Sequence, residues 1–190
     1  MIFTPTAIAG VAIIDLEPRQ DDRGFFARAF DRAEFVAAGL DPHVEQANIS
    51  FNRRAGTLRG MHFQVAPHAE SKLIRCTRGA IVDTIVDMRG DSPTRLQHVS
   101  VELTADNRRA LFVPAYFAHG YQTLADDTEV TYMVSGAYAP GAERGLRHDD
   151  PALGLSWPLP VADASPKDMS WPLLDSWSDE ELAAVSGATT

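Results

Sequence analysis

Apolar and polar residues alternate in short runs along most of the chain, and turn-forming residues separate the runs. This is the pattern of strands with one buried face. Val, Ile, Thr and aromatic residues dominate runs at 11–16, 24–30, 47–51, 57–64, 72–77, 80–87, 98–103, 110–113, 121–124 and 129–134, each of which is predicted as a strand. Turn signals lie between them at Arg89-Gly90-Asp91-Ser92-Pro93, Asp106-Asn107 and Asp126-Asp127. Helical spacing is confined to two stretches. Asp31 with Glu34 forms a capping box ahead of a helix over 32–38 that Gly39 closes, and Ser178 with Glu181 does the same for 179–185. Many closely spaced strands with few short helices predict a mainly β sandwich or barrel, for which a jelly roll is the economical closed form. Residues 140–172 are richer in Pro, Trp and Asp and weaker in strand pattern, so they read as a loop-rich arm over the barrel. With no repeat and no Gly/Ser linker, residues 1–190 are expected to form one domain, its small polar tail from about 186 disordered.

The run that breaks this pattern most is 57–72, TLRGMHFQVAPHAESK. Strict alternation places Leu58, Gly60, His62 and Gln64 on one face and Arg59, Met61 and Phe63 on the other. A histidine beside a glycine, on a strand bordered by Arg59 and Lys72, is as consistent with a satisfied core residue as with a functional one.

Composition narrows the classes of function. Of 190 residues 45% are hydrophobic and 23% charged, ordinary values for a water-soluble globular protein. No apolar run approaches the length of a membrane span, and the short run 8–14 lacks the basic flank of a signal peptide. The single cysteine, Cys76, excludes an internal disulfide, fits a reducing cytoplasm, and reads as a small buried hydrophobe. A net charge of −9 argues against nucleic acid as a partner. Within that acidic whole, Arg53, Arg54, Arg59, Lys72, Arg75 and Arg78 cluster in sequence. Such a cluster is either a solvated face or a pocket for a small anion.

The six histidines, His43, His62, His68, His98, His119 and His148, show neither H-x-H nor H-x-x-x-H spacing, so no metal site is predicted. No G-x-S-x-G elbow, phosphate loop or G-x-G-x-x-G fingerprint occurs. Proton transfer is the chemistry that remains. Imidazole changes charge near neutrality, which makes His62 the natural base, with Asp168 or Asp83 as its candidate carboxylate. Tyr132, on a strand whose alternate neighbours are apolar or small, is either an acid facing the interior or a packed tyrosine with a bonded hydroxyl. His119, taken alone, reads as structural.

The order and spacing of many short pieces change that balance. They are Asp22-Arg23-Gly24-Phe25-Phe26, Gln46-Ala47-Asn48-Ile49-Ser50, Leu58-Arg59-Gly60-Met61-His62-Phe63-Gln64, Lys72-Leu73, Phe117-Ala118-His119-Gly120, Glu129-Val130-Thr131-Tyr132, Tyr138 and Ser165-Pro166-Lys167-Asp168. Over nearly the whole chain, about residues 1 to 172, the sequence resembles the dTDP-4-dehydrorhamnose 3,5-epimerases, enzymes of deoxysugar synthesis with a double-stranded β-helix, or cupin-like, fold.

The resemblance implies a cofactor-independent isomerase that inverts C3, C5 or both in a 4-keto-6-deoxyhexose attached to a nucleotide. It implies that His62 is the base, Asp168 its partner, Tyr132 the acid on the other face of the sugar, and Lys72 the cation beside the developing enolate. By the same resemblance Arg23, Gln46, Asn48, Arg59, His119, Glu143 and Lys167 bind the nucleotide sugar, and Tyr138 lies near the sugar. A homodimer is implied, with Arg23 able to reach the partner's site. If Arg59 and His62 serve one site, strict alternation must fail between them, and a bulge near Gly60 is expected. Arg28 stands where many members have Glu, Ala115-Tyr116 where they have Glu-Gly, and His148 where they have Trp. These departures keep a single-position epimerase, or one for another nucleotide, as the alternative. The rivals from other classes are a metal-dependent cupin and a non-catalytic sugar-binding module.

Overall fold

The computed structural model describes residues 1–185. Two β-sheets enclose a common apolar core. Sheet I runs in the order β1 (Ile2–Pro5), β2 (Ala12–Asp15), β10 (Ala110–Val113), β7 (Lys72–Arg78), β12 (Thr128–Val134) and β5 (Gln46–Asn52). Sheet II runs β13 (Glu143–Gly145), β6 (Thr57–Gln64), β11 (Phe117–Thr123), β8 (Ala80–Asp87) and β9 (His98–Thr104). A short β14 (Asp163–Ala164) pairs parallel with β6, and β3 (Arg19–Asp21) with β4 (Gly24–Phe26) makes a separate hairpin. Between the sheets, Ile74, Cys76, Leu111, Val113 and Val130 of sheet I meet Ile81, Ile85, Leu103, Phe117 and Tyr121 of sheet II. The fold is the mainly β jelly roll that the strand pattern predicts.

Alternation decides which residues make that core, and the two outer faces need their own covers. Over sheet I lies α1 (Arg32–Ala37), whose Phe35 packs with Ala12, Ile14, Leu73, Ala110 and Phe112. Asp31 caps α1 by accepting from the Ala33 and Glu34 amides, 2.9 and 3.2 Å away. The other half of the expected box is diverted, because the Glu34 carboxylate takes the Met1 ammonium at 2.6 Å. Over sheet II lies the loop-rich arm: Ala142, Leu146, Leu153 and Leu174 pack on Met61, Phe63, Val86 and Ala118. Its last element, α2 (Asp179–Ala184), carries the full Ser178–Glu181 capping box. Among the described residues no helix is long and apolar enough to cross a membrane, and the tail from 186 lies outside them.

The bulge that joins the two halves of the central motif is present. His119 pairs with His62, yet Tyr121 pairs with Arg59, so three steps along β6 oppose two along β11. The extra residue turns Arg59 and His62 toward the same interior while Met61 and Phe63 go to the outer cluster. Gly60 permits it with φ +121°, and a Cβ there would lie 2.4 Å from Gly120 Cα. Elsewhere the strand limits move for similar tertiary reasons. The second predicted strand, 24–30, is observed as β4 and ends at Phe26 instead of 30, since its hairpin partner β3 is the strand that supports it. Strand β11 starts at Phe117, four residues before its prediction, because β6 and β8 pair with it on both sides despite its Gly and His. Strands β1, β3, β13 and β14 were not predicted; each is only two to four residues long.

Candidate active site

A cavity lined by strands of both sheets opens in two lobes, of about 490 and 460 Å³, that share His62, Lys72 and Tyr132. That is the size range of sites for small organic ligands. His62 comes from β6 in sheet II, whereas Lys72 and Tyr132 come from the neighbouring strands β7 and β12 in sheet I. The base and the acid expected from the sequence therefore face each other from different sheets.

His62 is held by its Nε2, 2.7 Å from Asp168 Oδ1. Asp168 opens a short 3₁₀ turn, Asp168–Ser170, and its amide donates to Ser165 Oγ at 3.0 Å. Burial by itself would push the Asp168 carboxyl up, but the His62 imidazole, with help from Ser165 and the Gly60 amide, holds it below the ordinary carboxylate range. With Nε2–H donated to Asp168, the basic lone pair of His62 lies on Nδ1, which is 4.0 Å from Glu143 Oε1. Asp83, the other carboxylate candidate, belongs elsewhere: it is fully buried and pairs with His119 Nε2 at 2.5 Å. That pair explains why His119, on β11 beside the bulge, stays fixed at the cavity wall. Among the described residues no group of three or more His, Cys, Asp or Glu is placed to hold a metal ion.

Tyr132 packs against the inner core and lines both lobes. Burial pushes its phenol up, the Arg59 guanidinium partly opposes this, and Glu70 adds to it. Lys72 donates to the His62 carbonyl at 3.3 Å and lies 3.5 Å from Glu70. Burial holds its ammonium below the ordinary lysine value, and Glu70, Glu143 and Asp83 oppose this only in part.

Arg59 is oriented before any ligand arrives: its Nε donates to Asn52 Oδ1 at 2.7 Å, and Asn52 is itself bonded to Tyr121 and the Thr128 carbonyl. Asn52 was not anticipated, and neither was Trp171, whose ring stands edge-on to His62 with centroids 6.3 Å apart. Trp171 fits there because Gly145, opposite His62 on β13, has no side chain; a Cβ would come within 2.2 Å of the indole. Of the residues expected to bind ligand, Arg59, His119 and Lys167 line the first lobe. Gln46, Asn48, Tyr138 and Glu143 line the second. Glu143 binds the Tyr138 hydroxyl at 2.7 Å and also the Lys167 ammonium. Arg23 is the one that stays away: it lies on the β3–β4 hairpin, 90% exposed, paired with Asp21 at 2.6 Å. Arg28 likewise binds Asp31, at 3.0 Å, outside the cavity.

A His–Asp pair, a lysine and a tyrosine brought from facing sheets of a jelly roll to one cavity form the kind of site that suits proton transfer. Comparison with known proteins makes this specific. The family model for dTDP-4-dehydrorhamnose 3,5-epimerase matches residues 5–176. A curated enzyme of that description from Sinorhizobium fredii is 43% identical over 175 residues, 92% of this chain and 90% of its own. The crystal structure of the Bacillus anthracis dTDP-4-dehydrorhamnose 3,5-epimerase with TDP and PPi bound superposes with a TM-score of 0.88 at 39% identity, covering 91% of this chain and 99% of that one. The Legionella pneumophila dTDP-6-deoxy-D-glucose-3,5-epimerase, in complex with dTDP-4-keto-L-rhamnose, also gives 0.88, at 33% identity over 95% of this chain and 96% of that one. The chain belongs to the dTDP-4-dehydrorhamnose 3,5-epimerase family.

Proposed function

We propose that this enzyme converts dTDP-4-dehydro-6-deoxy-D-glucose to dTDP-4-dehydro-L-rhamnose by inverting C3 and C5. The observation that carries the reading is the placement of the His62–Asp168 pair and Tyr132 on facing sheets of one cavity.

The C4 ketone acidifies the hydrogens on C3 and C5. His62 Nδ1 takes one of these protons, and the bonding pair moves toward C4 to make an enolate. Asp168 holds the imidazole in place and stabilises the imidazolium that results. Lys72 meets the negative charge that grows on the C4 oxygen, an effect worth about 3 kcal/mol for a well-placed donor. Tyr132 then gives a proton to the opposite face, the double bond returns to the ketone, and the centre is inverted. Once His62 has released its proton to solvent and Tyr132 has regained one, repetition at the second carbon completes the reaction, with no net oxidation. Arg59 and Lys167 suit the diphosphate, since a guanidinium donates to phosphate in pairs and an ammonium acts as a point charge. Gln46, Asn48, His119, Tyr138 and Glu143 take the rest of the nucleotide sugar.

Proton NMR of dTDP-4-keto-6-deoxyglucose with the enzyme in D₂O tests the reading. Loss of both the C3 and the C5 proton signals, with a change of configuration, is the expected result. Exchange at one carbon would make it a single-position epimerase, and no exchange above an enzyme-free control would overturn it.

We also assign the active species as a cytoplasmic homodimer. The single cysteine, buried and free, suits a reducing compartment. Phe25 and Phe26 on the β3–β4 hairpin, and Ile49 and Phe51 on edge strand β5, are exposed large hydrophobics. A partner that covered them would also bring in Arg23, which lies outside the cavity of its own chain. If Arg23 acts across the interface, Arg23→Ala and His62→Ala subunits are each inactive alone. Their mixed dimers regain part of the activity, because one of the two sites is intact.

A further inference from the structure

Glu70 lies two positions before Lys72, in the loop that leads into β7, and lines the second lobe. Its side chain is 10% exposed, little enough that a carboxylate there needs partners. One oxygen is 3.5 Å from Lys72 Nζ and the other accepts from Gln64 Nε2 at 3.0 Å. Gln64 is in turn pinned on three sides: it donates to the His68 and Ala137 carbonyls at 3.2 Å, and accepts from the Ala139 amide at 2.7 Å. The carboxylate is thus moored, through one amide, to both the turn after β6 and the segment that carries Tyr138.

Lys72 has little else to keep its charge. It faces His62 from β6, Tyr132 from β12, Asp83 and His119 from the β8–β11 side, and Glu143 from β13. Asp83 is committed to His119, and Glu143 to Lys167 and Tyr138. Glu70 is the carboxylate within ion-pair distance among the described residues. A neutral amine at this place could not stabilise an enolate oxygen, so the charge of Lys72 is part of its task.

We propose that Glu70 is a positioning residue that acts through Lys72, keeping its ammonium charged and fixed at the meeting point of the two lobes. The consequence for catalysis rests on the reading of Lys72 as the cation at the C4 oxygen; the pairing itself does not. Burial works against both groups, raising the carboxyl and lowering the ammonium, so each sustains the ionised form of the other.

The chain contains two lysines, Lys72 and Lys167. Protein labelled with [ε-¹³C]lysine therefore gives two side-chain signals, one from the buried pair and one from the exposed Lys167 as an internal control. Titration is followed in the wild type, Glu70→Gln and Glu70→Asp, alongside the pH dependence of kcat/KM. Removing the charge while keeping the shape should lower the Lys72 midpoint by about one unit or more, as expected for loss of an opposite charge at this distance. Glu70→Asp should stay nearer the wild type, and the Lys167 signal should be unchanged. The alkaline limb of the rate profile should move with the Lys72 midpoint in Glu70→Gln. A midpoint within about 0.3 units of the wild type in Glu70→Gln would overturn the proposal, leaving Glu70 a loop tether. A midpoint that falls while the rate profile stays fixed would sustain the pairing and remove Lys72 from the enolate step. Should Glu70→Gln fail to fold, the proposal is read from Glu70→Asp, where a longer ion pair still predicts a lowered midpoint and an unmoved one rejects it.

Discussion

Asp168 occupies Nε2 of His62, which leaves Nδ1 as the nitrogen that takes the proton in the proposed mechanism. His62→Ala should lower the rate of C–H exchange by about 10³-fold while leaving dTDP affinity within a few-fold, as seen by calorimetry. Tyr132→Phe should separate two events that the wild type couples: solvent exchange from the His62 side persists, and inversion falls further. Equal loss of both would refute that division of labour. Lys72→Ala should reduce kcat by about 10²–10³-fold, the usual effect of removing one donor from a developing oxyanion. Cys76, by contrast, has no part in the chemistry, since burial pushes its thiol up to about 11. A thiol reagent should leave activity unchanged.

At the level of the strand, one extra residue in β6 decides whether there is a site at all. Without the bulge, Arg59 would share the face of Met61 and Phe63 and point into the cover made by the arm. Gly60→Ala tests this directly, because a Cβ would lie 2.4 Å from Gly120 Cα and 2.7 Å from the His119 carbonyl, with φ at +121°. Backbone atoms cannot step aside as a flexible side chain can. A loss of more than about 2 kcal/mol in urea unfolding is expected, together with loss of activity. The turn after β8 is held in another way. Asp87, fully buried, accepts from Arg89, Ser92 and Thr94, with Arg89 and Thr94 each 2.7 Å away. Burial would raise its carboxyl, but these donors hold it below the ordinary value of 3.8. The unfolded chain therefore binds this proton first as the pH falls. The stability that Asp87 contributes is complete above about pH 5 and is lost as the pH drops through its lower folded value. Asp87→Asn should flatten the acid side of the stability curve and destabilise the protein at pH 7 by about 2 kcal/mol, measured by thermal unfolding across pH.

The whole molecule divides its labour between two sheets. Sheet II supplies His62, the proposed base, and the wall behind it, since β6 is paired by β11, β13 and β14 and covered by the arm. Sheet I supplies Tyr132 and Lys72, the proposed acid and cation, from neighbouring strands, and ends at the exposed edge of β5. Two separately paired sheets hold His62 and Tyr132 apart, the arrangement that the proposed inversion requires. The Asp–His pairs and the fixed Arg59 show that the geometry is set before substrate binds, which is what electrostatic stabilisation of an enolate demands.

Period-two alternation by itself determined the class of fold, because a half-buried strand has no other pattern, and it placed 57–64, 80–87 and 110–113 with their observed limits. Local capping rules placed both helices. Motif order pointed to the family and, through it, to His62, Tyr132, Lys72 and Asp168, since the order and spacing of chemically unusual residues are legible without coordinates. Residue chemistry alone left Asp168 and Asp83 both open and the resemblance chose Asp168, but the contact itself, across 106 residues of chain, is made only by the tertiary structure. The same holds for Asn52 behind Arg59, for Trp171 admitted by Gly145, and for Glu70 beside Lys72. Each is an ordinary residue in its local run, and gains its meaning from a neighbour that folding brings up from another strand. Local patterns record which face a residue takes; the partners it meets there depend on strand order and register, and those are properties of the closed barrel.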